Sequence, residues 1–306
     1  MTSINTNNAA MSALQTLRNV NANLTSTQTA VSTGLRISKA ADNATYWSVA
    51  TTMKSDVGAL GAVSDALGLG AAKVDTAYTA MDSSISIVSQ IKDKLVTAKE
   101  GSVDKSKVQG ELTQLQAQLK SVATSASFNG ENWVVAASGG SASVVSSFVR
   151  NASGGVSVTT SAFAFDASSQ GNVLFGSDGS GGANLTTGIL GSGKTIGSSS
   201  FSVYSLDIKG MTGAGIDSAM NMVESALSAM TSAAAQLGSL SSRIDLQTSF
   251  ASSLSDSITS GVGKLVDANM EQESSKLSAL QTQQQLAVQS LSIANSSSQS
   301  ILSLFR

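Results

Sequence analysis

The sequence predicts a mainly α protein: a long antiparallel helical bundle or coiled coil, with paired N- and C-terminal helices and a small β-rich insertion. Apolar residues recur at heptad spacing over both flanks of the chain. Proline is absent from all 306 residues, so nothing interrupts a helix by removing a backbone donor. Seventeen of the 27 glycines fall between Gly130 and Gly215, leaving ten for the other 220 residues, which sets the middle apart from two helical flanks. Hydrophobic residues make up 41% but aromatic ones only 4%. The core is therefore filled with Leu, Ile, Val, Met and Ala, the mixture favoured at helix seams.

In the first flank Ala10, Leu14, Leu17, Asn21, Leu24, Gln28, Val31 and Leu35 alternate at spacings of four and three, a coiled-coil seam with two polar residues set into it. A second helix includes Met81, Ile85, Val88, Ile91 and Leu95 and ends near Gly101; a third runs through Val108, Leu112, Leu115, Leu119 and Val122. The short Glu100–Lys105 connection predicts that these two pack antiparallel. In the second flank one seam runs from Ile216 through Met220, Val223, Leu227, Met230 and onward to Val262 and Leu265. That register then meets Asn269, Gln272 and Lys276, and a new seam starts out of step: Leu277, Leu280, Gln284, Ala287, Leu291, Ala294, Ser298, Ile301, Phe305. A slip of this kind marks a change of packing partner or a local unwinding, and places a boundary within Asp267–Lys276. The middle carries short β-like runs at Phe148-Val149, Val156–Val158, Phe163–Phe165, Val173–Phe175 and Phe201–Tyr204. A Gly/Ser linker is the alternative there; the alternating aromatics favour strands. The segments so defined are 1–40, 41–130, 131–215, 216–266 and 267–306.

The chain ends are almost uncharged. Residues 1–35 hold only Arg18, and residues 277–306 hold only Arg306. Exposed helices carry charges on their outer faces, whereas these carry Asn, Gln, Ser and Thr, which can be covered by protein without desolvating a full charge. A polar helix of about 30 residues is barely stable alone in water. Two disordered tails would be equally polar, but apolar heptads have no use there. Both ends are expected to fold when neighbouring copies cover them.

Chemistry is bounded by what is missing. Without His or Cys there is no Ser-His-Asp or Cys-His nucleophile and no ordinary zinc or haem site. A carboxylate-only oxygen site or a Ser-Lys pair stays open in principle. No enzymatic activity and no cofactor are expected. A net charge of −2 gives no footprint for nucleic acid. No apolar run is expected to approach the ~18 residues of a membrane span, and the N-terminal residues lack the features of a cleavable signal peptide.

Specific motifs add a family resemblance. Ser3–Asn7, Ser32-Thr-Gly-Leu-Arg-Ile37, Ala41-Asp-Asn-Ala44, Ser127-Phe-Asn-Gly130, Leu237-Gly238 with Arg243, Ala294-Asn295 and Ile301–Arg306 together resemble the bacterial flagellins. The match covers roughly 1–135 and 216–306. It implies an inner layer made by the terminal helices, a helical layer outside it and a surface-exposed variable insertion. It also implies an extracellular homopolymeric filament for motility, export without a cleavable signal, and assembly at the tip. The implied polymerisation residues are Leu14, Leu17, Leu24, Val31, Leu35, Leu280, Leu291, Ile301, Leu304 and Phe305. Implied partners are other flagellins, the export apparatus and its chaperone, and the filament cap and hook-junction proteins. Within the stretch aligned with the segment that plant receptors detect, Asn43 replaces a usual acidic residue, and Tyr46 and Trp47 replace small and aliphatic ones. At the Toll-like receptor epitope Gln90 and Lys94 depart from the family while Glu111 matches. Weak binding to both receptors, and so immune evasion, is expected, because a pocket shaped for a small side chain clashes with an aromatic one. Tyr46 and Trp47 are expected to pack against a neighbouring helix. These departures resemble flagellins of plant-associated α-proteobacteria. A hook–filament junction adaptor and a type III-secreted helical effector are the rival classes.

Overall fold

The structure is a computed structural model describing residues 6–151, 153–179, 182–197 and 199–303, with the backbone alone over 297–303. Its helices are α1 (Asn8–Thr33), α2 (Ala44–Lys99), α3 (Lys105–Ser125), α4 (Gly213–Val266) and α5 (Met270–Ser303). Among the described residues between α3 and α4 lie eight strands: β1 (Ser127–Phe128), β2 (Glu131–Asn132), β3 (Ser141–Arg150), β4 (Val156–Ala164), β5 (Gly176–Ser177), β6 (Ala183–Asn184), β7 (Lys194–Ile196) and β8 (Ser199–Phe201). They pair consecutively into four two-stranded antiparallel sheets. The chain divides into two compact units, Met1–Gly58 with Ser255–Arg306, and Ala59–Leu254.

In the unit Ala59–Leu254, α2, α3 and α4 share one core with the strands, including Leu67, Met81, Ile91 and Leu95 of α2, Leu112 and Leu119 of α3, and Ile216, Val223 and Met230 of α4. The seams expected for the second and third helices and for the first part of α4 lie on their buried faces. Asp104 caps α3 by accepting from the Ser106 backbone N–H at 2.9 Å, a favourable start for a helix. Lys94 of α2 pairs with Glu111 of α3 at 2.6 Å, consistent with the antiparallel packing expected from their short connection. By length and composition α2 is apolar enough to cross a membrane, with an 18-residue window of mean hydropathy 1.3. This corrects the expectation that no such run exists. Hydropathy averaged over Ala, Gly, Val and Leu interleaved with Ser and Thr is high even without an unbroken apolar run.

The insertion is β-rich, as its aromatics suggested. Ser127–Asn132 is a hairpin whose two turn residues both have positive φ, 51° at Asn129 and 83° at Gly130. That is the combination which matches strand twist and which Asn-Gly adopts most readily. The long β3–β4 ribbon has a bulge between Val145 and Ser147 and carries Phe163 onto Trp133, ring centroids 5.8 Å apart. Val144 of β3 sits so close to α2 that a Cβ added at Gly70 would overlap its Cγ1, so only glycine fits there. Val173–Phe175 is fully buried but forms no strand; a single parallel bridge joins Phe175 to Val135. Of Phe201–Tyr204 only Phe201 is in a strand. The backbone beyond it is held by side chains instead. Gln109 accepts from the Ile208 N–H at 2.9 Å and donates to the Leu206 carbonyl, while Gln116 donates to the Val203 and Leu206 carbonyls. Buried backbone polar groups need partners, and two glutamines seven residues apart on α3 supply them.

In the unit formed by Met1–Gly58 and Ser255–Arg306, α1 and α5 pair, and the start of α2 packs with the end of α4 through Ile37, Ala50, Val262 and Val266. The predicted slip falls where α4 ends at Val266 and α5 begins at Met270. Asn269 caps α5, accepting from the Glu271 and Gln272 N–H groups, and Glu271 and Glu273 lie in its first turn, where carboxylates complement the helix dipole.

Candidate functional site

The paired chain ends hold most of the residues that the resemblance implies for polymerisation. Asn7 starts α1, its side chain accepting from the Ala10 N–H at 3.0 Å, and Gly34 ends it with φ 72°, the left-handed cap that glycine provides without strain. Asn7 Nδ2 donates to the Ala294 carbonyl at 2.9 Å. Gln284 Nε2 donates to Asn21 Oδ1 at 2.8 Å, and Leu35 bridges to Asp267. These pairings run in opposite chain directions, so α1 and α5 are antiparallel.

On α5 the predicted seam holds as far as Ala294: Leu277, Leu280, Gln284, Ala287, Leu291 and Ala294 are buried or half-buried, while the side chains of Ser298, Ile301 and Phe305 lie outside what the structure describes. On α1 three positions are corrected. Ala10, Leu17, Leu24 and Val31 face inward as expected, but their seam partners are Ala13, Val20 and Thr27, not Leu14, Asn21 and Gln28, which are exposed. The second apolar position of a heptad can lie three or four residues after the first. Here α5 packs on the three-residue side, rotating Leu14 outward. Thr27 is buried with its hydroxyl unpartnered, a polar defect in the seam.

Outside the seam, Met11 and Leu14 of α1 and Leu286, Val288 and Ile293 of α5 are exposed apolar residues. Ala9, Ser12, Ala13, Leu286 and Ala287 line a groove of ≈ 530 Å3 between the two helices. Past Lys276 no charge lies along the described part of α5, and Arg18 is the sole charge on α1. Leu35 is half-buried against the end of α4. The side chain of Ile301, and Leu304 and Phe305 altogether, lie outside what the structure describes.

Motif residues close the seam's open end. Arg36 and Ile37 donate their backbone N–H groups to the Val266 carbonyl at 2.7 and 3.2 Å, and the Ala268 N–H donates to Gly34. The Arg36 guanidinium donates to the Leu265 carbonyl at 2.8 Å. The last carbonyls of a helix lack partners inside it; the turn Gly34–Ile37 supplies them for α4. Asp42 then accepts from the backbone N–H groups of Ser38 and Lys39 and from the Ser38 hydroxyl. The backbone bond from Ser38 chiefly, then that from Lys39, holds its carboxyl below the usual range.

The alternation of turn and cap carries two of the family-like motifs, and whole-chain comparisons agree with it. Residues 4–138 match the family profile of the bacterial flagellin N-terminal helical region, and residues 220–305 match that of the bacterial flagellin C-terminal helical region. Flagellin A of Rhizobium meliloti is 45% identical over 398 aligned residues, with all of both chains covered. Flagellin C of Rhizobium meliloti strain 1021 is 47% identical over 324 and the flagellin of Brucella melitensis biotype 1 is 46% identical over 309, again covering both chains fully.

The chain belongs to the bacterial flagellins. Within this flagellin the epitope-aligned positions fall at two places. Asn43, one of the family departures, caps α2: its side chain accepts from the Tyr46 N–H at 3.1 Å, and Asn caps a helix as well as Asp does. Tyr46 and Trp47 are 44% and 38% exposed, correcting the expectation that they pack against a neighbouring helix. Gln90 is exposed one turn before Lys94, and Lys94 is joined to Glu111 by the ion pair between α2 and α3. Sequence reasoning missed the buried pair Gln109 and Gln116, because glutamines on a helix look like surface residues; their seven-residue spacing beside Leu112 and Leu119 is the available signal.

Proposed function

We propose that the chain is the structural subunit of a bacterial flagellar filament for swimming, and that its paired ends polymerise as the inner layer. The observation that carries this is the sparsely charged α1/α5 pair, with apolar side chains left facing outward and the unpartnered Thr27 hydroxyl in its seam. Such a pair gains stability when other copies cover it. Segments 1–40 and 267–306 form that layer, 41–130 and 216–266 the helical body, and 131–215 the variable surface insertion. Leu14, Leu17, Leu24, Val31, Leu35, Leu280, Leu291, Ile301, Leu304 and Phe305 are its assembly residues.

The subunit leaves the cell unfolded through the flagellar export apparatus with a chaperone. It meets the cap and hook-junction proteins at the growing end, and other flagellins join it in the filament. It has no enzymatic role. Plant and Toll-like flagellin receptors bind it weakly, through the departures at Asn43, Tyr46, Trp47, Gln90 and Lys94, despite Glu111.

Leu291→Asp and Ile301→Asp test the inner layer. Each is expected to leave secretion intact and to abolish filaments, since a carboxylate would enter a buried apolar layer. Normal filaments from either variant refute the assignment.

A further inference from the structure

We infer that Asn129 is a site of spontaneous covalent modification, reactive in the unfolded chain and silenced by the β1–β2 hairpin in the folded one. Nowhere else in the chain does a glycine follow an asparagine. A glycine nitrogen has no side chain beside it to hinder its approach to the preceding amide. The Gly130 nitrogen attacks Asn129 Cγ, the Cγ–Nδ2 bond breaks, and the proton lost by the attacking nitrogen leaves with Nδ2 as ammonia. Water then opens the resulting succinimide at either carbonyl. One product is aspartate, and the other is isoaspartate, whose backbone runs through Cγ. Water is the only co-reactant, and both residues are exposed to it.

Backbone geometry decides when this can happen. Attack requires the Gly130 nitrogen to be eclipsed with Asn129 Cβ about the Cα–C bond. The φ values of 51° and 83° belong to the turn with both central φ positive, in which the first central residue has a ψ of about +30°. That torsion sets the Gly130 nitrogen almost opposite Cβ, out of reach of Cγ. The hairpin is pinned on two sides. Asn132 Nδ2 donates to the Ala123 carbonyl at 2.7 Å, and Asn132 Oδ1 accepts from the Val134 and Val135 N–H groups at 3.0 Å each. Glu131 pairs with Lys73 of α2 at 2.9 Å. A Cβ at Gly130 would meet nothing within 4 Å, so it is the positive φ and not space that calls for glycine there. The turn that selects the reactive pair is also the turn that holds it inert.

The two products differ in consequence. Aspartate keeps the hairpin, because Asp-Gly adopts the same turn. Isoaspartate adds a backbone atom to a two-residue loop, and the pairing of Ser127 with Asn132 and of Phe128 with Glu131 is lost.

The full-length subunit is incubated at mildly alkaline pH with and without guanidinium chloride. The tryptic peptide between Lys120 and Arg150 is then followed by mass spectrometry for conversion of amide to acid and for isoaspartate. Conversion at Asn129 is expected in denaturant and is expected to be slower by about tenfold or more in the folded chain, where it waits for a local opening. Asn132→Ala removes three of the pinning bonds and should raise the folded-state rate toward that of the unfolded chain, with helix content by circular dichroism unchanged. Lys73→Ala loosens the other side and should act in the same direction, which keeps the test available if Asn132→Ala does not fold. Equal rates in the folded and unfolded chain overturn the inference, as does no conversion at Asn129 in denaturant. A folded-state rate that neither variant changes overturns it too.

Discussion

Leu286→Asp separates assembly from folding, because Leu286 is 59% exposed in the subunit while Leu280, six residues earlier on α5, is only 7% exposed. Burying a whole leucine side chain is worth about 1.5–3 kcal/mol. With more than half of Leu286 still uncovered, roughly 1–2 kcal/mol of that remains to be gained when a neighbouring copy fills the groove. A carboxylate forfeits the gain and adds a desolvation cost of several kcal/mol. A combined loss above about 3 kcal/mol corresponds to a rise of about a hundredfold or more in critical concentration. Seeded polymerisation followed by sedimentation measures it. The free Leu286→Asp subunit is expected to melt within about 0.5 kcal/mol of the unmodified chain, as exposed substitutions do. Leu280→Ala behaves oppositely: it removes a side chain from the seam, costs about 2–5 kcal/mol, and melts the α1/α5 pair in the free subunit. Wild-type critical concentration for Leu286→Asp would falsify the assignment of the outward face, as would a loss of helicity in that free variant equal to that of Leu280→Ala.

Gly70→Ala is expected to destabilise the unit Ala59–Leu254 by about 1–3 kcal/mol through overpacking against Val144, and Val144→Ala in the same chain should restore most of it; denaturant melts measure both. Glu131 is held below the usual carboxylate range, first by the Lys73 ammonium and then by the Trp133 indole N–H. Its contribution is therefore present above the unfolded carboxylate pKa and lost as pH falls through the lower folded value. As a half-exposed ion pair it is worth at most about 1 kcal/mol, and Glu131→Gln should remove that acid-sensitive increment from a pH series of melts. A synthetic peptide of residues 29–50 should trigger a weak plant oxidative burst; a burst at normal potency contradicts the expected poor fit of Tyr46 and Trp47.

Long-range order was legible wherever the apolar repeat admitted one interpretation. On α5 the neighbours of Leu277, Leu280 and Leu291 are mostly Ser, Thr and Gln, which fixes the face even though Leu286, Val288 and Ile293 lie outside it. On α1 Leu14 competes with Ala13, and Asn21 with Val20. Leucine looked the better seam residue, but the partner helix selects the side, and a small residue permits closer approach. The helix break after Val266 was visible as a register slip because two helices with different partners need not share phase. The insertion was legible in type only. Val173–Phe175 reads as a strand from composition, yet its backbone is satisfied by irregular segments and by a single bridge to Val135, which no local pattern encodes. Asn43 looked like a departure with a functional meaning; its capping bond shows that a position can change charge and keep its mechanical task.

The turn at Gly34–Ile37 links residues far apart in the chain: Arg36 and Leu265 are 229 positions apart. Closing so long a loop carries a large entropic cost before any contact rewards it, and a chain cut short anywhere before Leu265 offers Arg36 nothing to cap. The turn is thus a completeness check. It can lock only after the two flanks of one polypeptide have met, so its order reports that the chain is present at least as far as Ala268.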